Sequence, residues 1–129
     1  MSNSTQRNLD WLAAKYAQNI IKHTQDKKAG DVDNTITKAL GVLQENGVYA
    51  CFLYLLAREK ENGSVVVEEM LNVLNELGFG WGKPANNRPE AVLAHVSEKV
   101  TTDLERLLLA KETLEQMLIY ARYGAKARE

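Results

Sequence analysis

The run VYACFLYLLA, residues 48–57, limits this chain more than any other feature. Nearly every position is apolar, so the segment must be covered on several sides wherever it sits. As a strand it would need burial on both faces and partners in a sheet, yet no other segment reads as a strand. As a helix it needs only neighbours, and the rest of the chain supplies them. Before it, ENG brings a glycine to where a helix ends, with Gly47 suited to the left-handed residue past the last turn. Gly63 is expected to close the apolar helix, and Ser64 to open the next.

The same periodicity gives six helices and an all-α fold, one compact bundle over residues 1–129 with the apolar helix at its centre. The first is expected from about Thr5 to Gln25, with Leu9, Leu12, Ala13, Tyr16 and Ile20 inward and Asp10 near its positive end. DKKAGDVD reads as a turn, with Asp33 or Asn34 capping a helix that carries Ile36, Ala39, Leu40 and Leu43. A fourth helix turns Val67, Met70, Leu71, Val73, Leu74 and Leu77 inward. GFGWGKPANNRPE can only be loop, closed over by Phe79 and Trp81. Pro89 suits the first turn of a short fifth helix with Val92, Leu93 and Val96. Thr102 and Glu105 have capping-box spacing for the last helix, whose stripe is Leu104, Leu107, Leu114, Leu118, Ala121 and Ala125.

Composition excludes several classes. At 45% hydrophobic and 26% charged the chain is too apolar for a disordered tail. It contains no apolar run long enough for a membrane span, which leads us to expect no membrane partner. Its opening, MSNSTQRN, lacks the apolar centre of a secretory signal, and Cys51 is alone, so a reducing cytoplasm is expected.

Catalytic chemistry is hard to find. His23 and His95 have no second ligand at metal spacing, so no metal or other cofactor is expected, and both read as surface or boundary side chains. Cys51 should be a buried, protonated thiol. Glu59 with Glu61, and Glu68 with Glu69, point to different sides of their helices and read as solvated faces rather than acid–base pairs. GFGWG lacks the spacing and the preceding strand of a phosphate loop. The expectation is a protein that is not an enzyme and has no small-molecule substrate. A helical enzyme using His95 and nearby carboxylates is the remote alternative.

Charge is more informative by its placement than by its sum of -1. Residues 1–30 hold five basic and two acidic side chains, residues 31–80 three and eight, and residues 81–129 eight and seven. Basic termini thus flank an acidic middle. Arg7, Trp11, Lys15 and Lys22 share the outer face of the first helix. Cations around an aromatic ring suit a nucleic-acid strand, whose phosphates meet the charge while a base stacks. The commoner use of such a tryptophan is packing against another helix or a neighbouring subunit, with the lysines solubilising the rim. Arg122, Lys126 and Arg128 crowd the end of the last helix, where the dipole favours cations anyway.

The order of segments carries a resemblance. Ala13, Tyr16 and Ala17 form the core of the first helix. Gln44-Glu45-Asn46-Gly47 leads directly into VYACFLYLLAREK. The chain closes on TLEQMLIYARYGAKA, with Thr113 and Leu114 ahead of Tyr120, Ala121, Arg122, Tyr123 and Ala125. This resembles the small all-helical subunit of the type III-B CRISPR effector, the Cmr complex, over nearly the whole chain. Two positions depart from the family's pattern. Asp10 and Trp11 stand where basic side chains precede the Ala-rich core, and Gly124 is expected to loosen the terminal helix. The resemblance implies a non-catalytic antiviral-defence protein that stacks in several copies beside the other Cmr subunits. It would contact the guide RNA–target RNA duplex through its backbone, with Arg7, Lys15, Lys22, Arg122 and Lys126 as RNA-binding candidates and Trp11 as an interface residue. The alternatives are a protein-interaction adaptor without nucleic-acid binding and the analogous small subunit of another type III effector.

Overall fold

The computed structural model describes residues 8–128, which form six α-helices and no strand among the described residues. Helix α1 spans Leu9–Lys22, α2 Ala29–Asn46, α3 Val48–Arg58, α4 Glu61–Glu76, α5 Pro89–His95 and α6 Leu104–Arg128, with one π-helical turn at Val96–Val100. The predicted start of the first helix at Thr5 falls outside the described residues. Asn8 caps α1, its side chain accepting the Trp11 N–H at 3.1 Å.

Helix α2 begins a turn earlier than expected. Lys28 is its extended flanking residue, and Gly30 and Asp31 are helical. Starting there places Val32 in the buried stripe with Thr35, Ile36, Ala39, Leu40 and Leu43. It also releases Asp33 from capping. The stop at Gly47 is as expected, with φ 102°, and α3 follows at once.

Helix α3 touches α2, α4, α5 and α6, so the apolar run is indeed covered on several sides. Val48, Cys51, Phe52 and Leu55 are buried, while Tyr49 and Leu53 are left exposed along one edge. Gly63 does not end it. The break falls at Glu59 and Lys60, and Gly63 lies inside α4. A Cβ there would stand 2.6 Å from Glu59 Cβ and 3.0 Å from the Leu55 carbonyl oxygen, so glycine is what lets α4 fold back onto the end of α3.

Helix α6 is the longest and packs along both α1 and α2, burying Ala110, Leu114, Met117, Leu118, Ala121 and Ala125. Its cap is Asp103, which accepts the Arg106 N–H at 3.2 Å, one residue after the expected Thr102. Leu104, expected inward, is 68% exposed in the first turn. The helix does not loosen at Gly124 but continues to Arg128. A Cβ on Gly124 would lie 2.9 Å from Ile21 Cγ1, so the glycine sets how closely α6 approaches α1. Phe79 and Trp81 close the loop between α4 and α5 with ring centroids 5.0 Å apart, Trp81 being buried. No helix among the described residues is long and apolar enough to cross a membrane.

Candidate nucleic-acid interface

Side chains four apart on α1 stack on one face, and its inner face is spent on the core. Trp11, Lys15, Gln18 and Lys22 therefore point outward, all exposed. Trp11 is 52% exposed, and Lys15 Nζ sits 5.0 Å from the centroid of its ring and 5.1 Å from that of Tyr16. The ammonium lies within cation–π range of the indole and is exposed. Among the described residues neither Lys15 nor Lys22 has a carboxylate within ion-pair distance. Arg7 lies outside the described residues.

The two α6 candidates have a different setting. Lys126 Nζ is 3.1 Å from Asp33 Oδ2, and Arg122 Nε is 3.9 Å from Asp33 Oδ1. One half-buried carboxylate on α2 thus faces two cations, leaving one positive charge in excess. Arg128 is spent differently: its guanidinium donates to the carbonyls of Thr24, Gln25 and Lys27 and covers the end of α1. So Trp11, Lys15 and Lys22 form one face on α1, while Arg122 and Lys126 lie where α6 meets α2.

Other titratable groups are tied into packing. Glu69, read from the sequence as solvated, is buried between α1 and α4. It accepts from Asn72 at 3.0 Å and Asn19 at 3.4 Å, and His23 Nδ1 lies 3.3 Å from its second oxygen. Tyr16 donates to Glu76 and Tyr120 to Asp10, tying α1 to α4 and α6. Glu59 accepts from Thr35 and Tyr54. This polar seam joins residues 46 apart in sequence, and no local pattern could have revealed it. His95 is buried rather than at the surface, and burial followed by Lys99 holds its ring below the usual imidazole range. Burial pushes the Cys51 thiol up to about 12, and Sγ donates to the Ala39 carbonyl at 3.4 Å. Among the described residues no cluster of His, Cys, Asp or Glu could hold a metal ion.

Comparison with known proteins finds no family model that matches the chain, and no similar curated protein or solved structure.

Proposed function

We propose that this chain is a non-catalytic structural subunit of a CRISPR type III-B effector, the Cmr complex. In this reading it works in the cytoplasm, stacks as several copies in a minor filament, and touches guide and target RNA through phosphates. The observation that carries the RNA contact is the outer face of α1, where an exposed indole lies beside Lys15 and Lys22 follows about three turns along, neither lysine having a carboxylate within ion-pair distance among the described residues. Such a face offers charge to phosphate and a ring to a base without reading sequence, as a guide-directed complex requires. Arg122 and Lys126 add a weaker share because Asp33 neutralises one of them. The Gln44-Glu45-Asn46-Gly47 stop and the basic-aromatic end of α6 support the family reading.

Affinity purification of the tagged chain from its own cells tests the assignment. Co-purification of a large polymerase-like subunit, repeat-RNA-binding proteins and a guide RNA is expected. Recovery of the chain with neither guide RNA nor such subunits would contradict it.

A further inference from the structure

Helices α1 and α6 run parallel, since Leu9 and Asp10 share a recess with Glu112, Glu115 and Gln116, Ile21 meets Gly124, and Arg128 reaches Thr24. Among the described residues their seam is not filled. A recess of about 390 Å³ opens at its beginning and one of about 470 Å³ further along, and Asp10 lines both. The floor of the larger is Ala14, Ala17, Ile21 and Gly124, small enough for another backbone to come close. The ends differ in charge. Asp10, Glu112 and Glu115 line the first with no cation among them, whereas the second runs from Asp10 to Lys22 and the amides of Gln18 and Gln25. From Asp10 to Lys22 the groove runs roughly 18 Å at the rise of an α-helix.

We propose that this groove takes an amphipathic helix of a partner protein, lying parallel to α1, with Lys or Arg in its first turns and acidic residues in its last. Both the partner's side chains and its dipole then complement the groove: the positive end meets three carboxylates and the negative end meets Lys22. The apolar stripe of the partner covers Ile21 and the small residues. Phosphate backbone fits badly, because the carboxylate end repels it. A second copy fits badly too. The most exposed apolar helical face among the described residues, Leu104 and Leu108 at the start of α6, is led by Asp103 and Glu105 and would bring acid to acid in that orientation. The proposal concerns a protein partner and does not depend on the RNA contact.

The test uses two stapled amphipathic helices of identical composition and equal helicity, one with lysines first and glutamates last, the other reversed. Binding of each to the full chain is measured by calorimetry. The lysine-first helix is expected to bind at least about tenfold tighter, and the variant Glu112→Lys/Glu115→Lys to lose that preference while staying folded by circular dichroism. Equal affinity for the two helices, binding of neither, or a preference that survives the double substitution would each overturn it.

Discussion

Cys51 illustrates how a residue's surroundings decide its chemistry. Its thiol is fully buried among α2 and α3 side chains and is pushed up to about 12, so the thiolate is essentially absent near neutral pH. Native protein should therefore resist iodoacetamide at neutral pH and react once denaturant is added, as mass spectrometry would show; rapid labelling of the folded chain would contradict the burial. His95 gives a pH dependence with a definite sign. Its folded value lies below the ordinary 6.5, so the unfolded chain takes up a proton that the folded chain refuses. This contribution to stability is intact above that value, falls as pH drops through it, and levels off once the folded ring protonates too. Urea midpoints at about pH 7.5 and about pH 5 should thus fall further for the wild type than for His95→Gln. An equal fall in both would assign the acid sensitivity to other groups.

Among the elements, two helical glycines make opposite predictions. At Gly41, in the middle of α2, a Cβ meets nothing within 4 Å, so Gly41→Ala should stabilise by about 0.5–1 kcal/mol through helix propensity. At Gly63 the same change drives a methyl into Glu59 Cβ and the Leu55 carbonyl, and a net loss of about 1–3 kcal/mol is expected in denaturant melts. Stabilisation by Gly63→Ala would show that α4 does not depend on this close approach. The same residue shows where local pattern fails. ENG at Gly47 and RPE at Pro89 are legible because a helix end there is fixed by backbone conformation alone. ENG at Gly63 looks identical, but its glycine answers to a neighbouring helix that no local rule sees. Likewise Asp33 resembles a cap in its own stretch of sequence, whereas its partners, Lys126 and Arg122, lie far along the chain. The outward turn of Trp11, by contrast, follows from its place on the wheel and needs nothing tertiary.

For the whole molecule, charge is arranged rather than abundant. The acidic middle of the sequence contributes Asp33, Glu59, Glu69 and Glu76, which are occupied with α1, α2, α3 and α6. On the first helix Lys15 and Lys22 have no carboxylate within ion-pair distance among the described residues. A protein with a net charge of -1 thereby presents a cationic, aromatic face to one side. The proposed role needs that face to hold RNA within an assembled effector, and salt reveals such binding directly. The decisive measurement is target-RNA retention by the reconstituted complex, against salt concentration, for wild type and for a chain with Lys15, Lys22, Arg122 and Lys126 all changed to Gln. Weaker retention and a shallower salt dependence are expected for the variant, with about one fewer counterion released for each phosphate it no longer neutralises. Unchanged retention with an unchanged slope, in a variant that still assembles, would contradict the RNA role.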